Sequence, residues 1–154
     1  STDEVYGECN HKKTEEEIIF PKNPYSASKA IGSLLRFAYD NTYSDLQNKT
    51  TETRFCNVFG PRQDKRKIFP LIKHALETGE AIQVHNNGLG YREYIYIKNI
   101  PPAIELILDK GNRTYNLTTN DGFTVKELIA RVEKVTGKNI STYTGLRNEV
   151  DMKE

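Results

Sequence analysis

The sequence predicts an α/β protein with largely parallel strands. Two observations carry this. β-compatible runs alternate along the chain with segments whose apolar residues recur at helical spacing, and three of the four predicted helices are closed by a glycine: Gly79, Gly111 and Gly137. The 154 residues are the size of one domain with a core of ordinary fraction, and no internal repeat, low-complexity stretch or linker interrupts them.

Residues 1–6 read as the carboxyl end of a strand that reaches Gly7, and 8–23, with the acidic triplet at 15–17, as a surface loop. From Pro24 the pattern is helical: proline suits a first turn, and Ala27, Ala30, Leu34, Leu35 and Ala38 share one face up to about residue 43. Residues 52–58 predict a strand that ends at the Gly60-Pro61 turn. A helix over 67–77 follows, then strands over 82–85 and 91–97 around an Asn87-Gly88 turn signal. A helix over 101–109, a strand over 114–118 and an amphipathic helix over 124–136 complete the pattern.

The 22 basic and 21 acidic side chains nearly cancel, which removes the broad field needed to hold nucleic acid or an anionic membrane surface. No run approaches the roughly 20 apolar residues of a membrane span, and no signal-peptide pattern opens the chain. Cys9 and Cys56 make no disulfide framework, and no His/Cys spacing suits a metal, so a soluble protein in a reducing, cytoplasmic setting without a metal is expected. The N-x-[ST] matches at Asn48, Asn112, Asn116 and Asn139 would matter only in a secreted protein. A chain that starts at Ser1 and carries its single methionine at Met152 is expected to be part of a longer one.

Tyr25 and Lys29 stand four apart at the start of a helix and so project from one face. An ammonium beside a phenol favours the phenolate, which can take a proton. Y-x-x-x-K by itself also occurs on ordinary surface helices. Asp3 and Glu4 are adjacent carboxylates; two of these close together repel as anions, so that one tends to keep its proton and the pair divides into an acid and a base. The same two residues would serve as a solvated strand end or a helix cap. On a regular strand they would point to opposite faces, so a shared site requires the strand to end before Gly7.

The ordered segments S-T-D-E-V-Y-G, N-P-Y-S-A-S-K-A, R-F-C-N-V-F-G-P-R-Q and Y-R-E-Y together resemble the extended short-chain dehydrogenases/reductases that act on nucleotide sugars, over essentially the whole chain. The T-D-E triplet looks most like the dTDP-glucose 4,6-dehydratase branch. The resemblance implies the carboxyl-terminal part of a Rossmann-type parallel sheet plus a small substrate-binding α/β region: residues 1–60 carry the catalytic groups and 61–154 are mainly substrate-binding, with segments returning to the sheet. It implies NAD as cofactor, a nucleotide-diphosphate sugar as substrate and a homodimer joined through the helix of Tyr25 and Lys29.

The resemblance further implies that Tyr25 takes the proton of the carbon 4 hydroxyl, Thr2 orients that hydroxyl and Lys29 holds the cofactor ribose. Glu4 would be the base at carbon 5 and Asp3 the acid at carbon 6. Asn57 would contact the sugar nucleotide, Lys67 would lie along the substrate, His85 would line the nucleotide pocket and Arg92 would bind phosphate. Three departures stand out. The G-x-x-G-x-x-G turn that holds the dinucleotide pyrophosphate does not occur in these residues, nor does the late R-P-G-x-D segment, and Y-I-K-N at 96–99 replaces the usual Y-V-x-D. The chain by itself is therefore expected to be inactive. The alternatives are an epimerase or decarboxylase of the same superfamily, or a module that only binds a sugar nucleotide or another subunit.

Overall fold

A computed structural model of the chain describes residues 1–7, 12–46, 49–111 and 113–145. Cys9, Asn48, Asn112 and Met152 lie outside the described residues. In chain order the regular elements are α1 (Pro24–Thr42), β1 (Glu52–Phe55), β2 (Asn57–Phe59), α2 (Ile68–Thr78), β3 (Ile82–Val84), β4 (Tyr91–Tyr96), α3 (Ile100–Lys110), β5 (Thr114–Leu117), β6 (Gly122–Thr124), α4 (Val125–Thr136) and β7 (Thr142–Thr144). They divide into two compact units, Ser1–Val58 with Tyr94–Thr119, and Phe59–Glu93 with Asn120–Glu154. No described helix is long and apolar enough to cross a membrane.

In the first unit β1 runs parallel to β5, with Glu52 opposite Thr114 and Phe55 opposite Leu117. Thr2 adds a single parallel bridge to Phe55 and there the opening strand ends. Instead of continuing to residue 6 as expected, the chain tightens into a 3₁₀ turn over Asp3–Tyr6. Gly7 leaves that turn at a φ of 72°, where a Cβ would also collide with the Phe20 carbonyl oxygen. Val5 and Tyr6, carried on the turn, pack with Ala30 of α1 and with Ile19 to form the small core of this unit.

α1 starts at Pro24 because Asn23 caps it: the Asn23 side chain accepts the Ser26 N–H, and Ser26 reaches back to the Asn23 backbone. The strand expected over 52–58 breaks at Cys56 into β1 and β2. Cys56 is buried and is not part of a disulfide among the described residues.

In the second unit β3 pairs in parallel with β7, and the first three residues of β4 pair antiparallel with β6, Arg92 facing Phe123. The runs at 82–85 and 91–97 therefore do not partner each other. Between them Asn86–Gly88 turns as a short 3₁₀ segment with three successive positive φ values. Neither β6 nor β7 was signalled by the sequence pattern, each being only three residues long. The core unites Ile72 and Ala75 of α2, Ile82 and Val84 of β3, Leu128 and Ile129 of α4, and Ile140.

Candidate active site

The 3₁₀ turn decides the chemistry available at Asp3 and Glu4. Thr2, only 8% exposed, acts as its cap: its Oγ1 accepts the Glu4 N–H at 3.3 Å and donates to Asp3 Oδ1 at 3.2 Å. A threonine hydroxyl and two successive carboxylates are thus held on one turn, instead of alternating across a pleat. The strand end required for a shared site is present at Thr2.

Glu4 is exposed, and its Oε2 accepts a hydrogen bond of 3.2 Å from Asn23 Nδ2. Asn23 is the cap of the helix that bears Tyr25 and Lys29, so the carboxylate turn and the helix start are tied directly. Tyr25 is 53% exposed, and Lys29 Nζ lies 5.7 Å from the centre of its ring, on the same helix face. Lys29 Nζ forms no hydrogen bond or ion pair with another described residue. Its ammonium can donate up to three hydrogen bonds, a donor set compatible with neighbouring hydroxyls such as those of a ribose. On its other side Lys29 borders an open cavity of about 460 Å³ together with Ser1, Ser33, Arg36 and Glu52.

Behind the turn lies a buried polar network that the sequence reading did not single out. Arg54, 2% exposed, donates through Nη1 to the Tyr6 hydroxyl at 2.6 Å, and the Tyr6 hydroxyl donates to Asn116 Oδ1 at 2.8 Å. The same guanidinium forks onto Glu52, with Nε–Oε1 and Nη2–Oε2 both 3.2 Å, and Ser33 Oγ donates to Glu52 Oε1. Burial alone would push the Glu52 carboxyl up. The hydrogen bonds from Arg54 and Ser33 and the Arg54 charge outweigh it and hold the group below the usual carboxylate range. The signal was in the sequence: Glu52 and Arg54 are two apart in a strand and share its inward face.

Asn57 begins β2, half-buried, in the first unit. Lys67, His85 and Arg92 lie in the second unit on three separate elements. Lys67 is exposed at the N-cap of α2 and makes no capping bond with its side chain. His85 is exposed before the Asn86–Gly88 turn, with Nδ1 3.4 Å from the Gly145 carbonyl oxygen. Arg92 is exposed on β4 and donates to its neighbour's carbonyl, Tyr91 O, at 2.7 Å. The structure thus gathers Thr2, Asp3, Glu4, Tyr25 and Lys29 on two linked elements. Of the other substrate candidates, Asn57 belongs to the same unit as these five, and Lys67, His85 and Arg92 belong to the second unit. Among the described residues no group of three His, Cys, Asp or Glu side chains is placed to hold a metal ion.

The family model described as GDP-mannose 4,6 dehydratase matches residues 1–154. Among curated proteins, the low-salt glycan biosynthesis protein Agl12 of Haloferax volcanii is 42% identical over 120 residues, 76% of this chain and 38% of that protein. Among solved structures, the dTDP-glucose 4,6-dehydratase of Bacillus anthracis in complex with NAD superposes with a TM-score of 0.85 at 31% identity, covering 96% of this chain and 49% of that one. The UDP-glucuronic acid 4-epimerase of Bacillus cereus in complex with UDP-glucuronic acid and NAD gives 0.81 at 26% identity, covering 94% of this chain and 46% of that one. The chain therefore spans less than half the length of each of these three proteins.

Proposed function

The chain belongs to the GDP-mannose 4,6 dehydratase family, and on that premise we propose that the full-length protein is a nucleotide-sugar 4,6-dehydratase, converting a dTDP- or UDP-glucose to its 4-keto-6-deoxy sugar. The observation that carries the reading is the 3₁₀ turn after Thr2, which holds Asp3 and Glu4 on one turn and ties Glu4 to Asn23 at the start of the Tyr25 helix. An epimerase needs only to oxidise and re-reduce one carbinol. Loss of water across carbons 5 and 6 needs a further base and a further acid, and two neighbouring carboxylates supply both.

NAD is the cofactor of this reading; when bound it would supply a temporary hydride acceptor, so that the hydride lost from carbon 4 comes back to carbon 6 after water has left, while carbon 5 regains a proton, and no net reductant is used. Lys29 holds its ribose. Tyr25 takes the proton of the carbon 4 hydroxyl, which Thr2 orients. With carbon 4 a ketone the hydrogen on carbon 5 is acidic, and Glu4 removes it as a proton. The C5–H electron pair becomes the carbon 5–6 double bond while the C6–O bond breaks, and Asp3 protonates the departing oxygen, which leaves as water. Asn57 contacts the sugar nucleotide, Lys67 lies along it, His85 lines the nucleotide pocket and Arg92 takes a phosphate. Residues 1–60 thus carry the acid and base groups, and 61–154 mainly bind substrate. A homodimer and a cytoplasmic location complete the reading.

The test is Asp3→Asn in the full-length enzyme. Oxidation at carbon 4 should persist while formation of the 4-keto-6-deoxy product slows by about a hundredfold or more, the order expected on removing one general acid. Undiminished product would sink the assignment. A 4-epimerase is the second reading, favoured by the likeness to the Bacillus cereus enzyme. Chromatography of the wild-type product against 4-keto-6-deoxy and 4-epimer standards separates the two.

A further inference from the structure

We propose that Asn23 is a positioning residue for Glu4, fixing the carboxylate against the helix that carries Tyr25; the proposal rests on the dehydratase reading. Four of its groups are engaged at once, both ends of the side-chain amide and both backbone groups. Its Oδ1 accepts the Ser26 N–H at 2.8 Å, its own N–H donates to Ser26 Oγ at 3.3 Å, and its Nδ2 donates to Glu4 Oε2 at 3.2 Å. Ser26 is fully buried and in turn donates Oγ to the Asn23 carbonyl at 3.1 Å, so the capping half of the side chain is anchored in the fold.

A planar amide anchored through its oxygen has its nitrogen aimed as a consequence. Serine, threonine, aspartate and asparagine all cap helices, but of these asparagine alone carries an acceptor oxygen and a separate NH₂ donor. Aspartate would cap as well and could not donate to a carboxylate. Serine would have to make both contacts from a single oxygen. The pairing therefore explains why the cap is an amide. It also gives the two groups that move protons at carbon 4 and carbon 5 a common rigid origin, while the positive end of α1 favours a carboxylate beside it.

The experiment uses the full-length enzyme with Asn23→Asp and Asn23→Ser, both of which preserve a helix cap. Thermal midpoints should stay near wild type. Turnover should fall roughly ten- to a hundredfold, the order expected when a reacting group is misplaced by about 1 Å, with KM within about twofold. The readout specific to positioning is the isotope effect. Deuterium at carbon 5 of the sugar should slow both variants more than wild type, while the effect of deuterium at carbon 4 should not grow. Wild-type turnover in both variants, or equal growth of the two isotope effects, would overturn the positioning role alone. A wild-type enzyme that forms no 4-keto-6-deoxy product overturns the dehydratase reading and this proposal with it.

Discussion

Glu52 and Arg54 form a buried pair behind the turn that carries Asp3 and Glu4 and are joined to that turn through Tyr6. Both are buried, and Arg54 spends one nitrogen on Tyr6, which lies on the same 3₁₀ turn as Asp3 and Glu4. Replacing Arg54 by Met leaves the buried Glu52 carboxylate with only the longer 4.0 Å contact to Arg36 Nε and should cost about 3–5 kcal/mol in denaturant unfolding of the full-length protein. The double variant Arg54→Met with Glu52→Gln should recover much of that loss, because no uncompensated charge remains. The pH dependence has a fixed sign. Glu52 is held below its reference value of 4.5, so its contribution is complete above about pH 4.5 and is lost as pH falls through the lower folded value. Glu52→Gln should flatten the acid limb of the stability curve. In the sequence the run E-T-R-F reads simply as strand; period-2 spacing places the two charges on one face, but only the partners supplied by Ser33 and Tyr6 make that face an interior.

Helices were legible element by element, because their boundaries are written in local chemistry. The pattern placed α1, α2, α3 and α4 within a residue or two, since Pro24 opens the first and Gly79, Gly111 and Gly137 close the others. The strands were less so. Asn87-Gly88 is a genuine turn, yet β3 takes β7 as its partner, a strand nearly sixty residues later that is too short to show alternation. A helix cap also yields an acid-sensitive element. Thr124 N–H and Oγ1 both donate to Glu127, and these bonds hold the Glu127 carboxyl below its reference value of 4.5. The bonds are complete above about pH 4.5 and lost as pH falls through the lower folded value. Amide exchange at Thr124 should therefore accelerate in acid, measured against the base-line pH dependence of exchange, and Glu127→Gln should remove that extra acceleration.

At the scale of the whole molecule the candidate site was legible only in part. Five of its residues sit within the first 29 positions and came with motif spacing; the tie through Asn23 needed the fold to be seen, since no spacing rule links residues 4 and 23. α1 exposes Ile31, Leu34 and Leu35, each more than half accessible, on the helix the dimer reading assigns to the subunit interface. Ile31→Glu with Leu34→Glu should shift the full-length protein from dimer to monomer in sedimentation, and an unchanged mass would remove α1 from that role.

Each unit is stitched from two separated stretches of sequence, with chain crossings after Val58, Glu93 and Thr119. β1 waits for β5, and the apolar cluster around Ile72 and Val84 waits for Leu128, Ile129 and Ile140. For a chain emerging from the ribosome this means that the small core of Val5, Tyr6, Ile19 and Ala30 can close early, whereas the cluster around Ile72 and Val84 cannot close when its first half appears. Residues near 72 and 84 remain solvent-exposed until their partners at 128–140 are translated, so the nascent chain passes through an aggregation-prone interval.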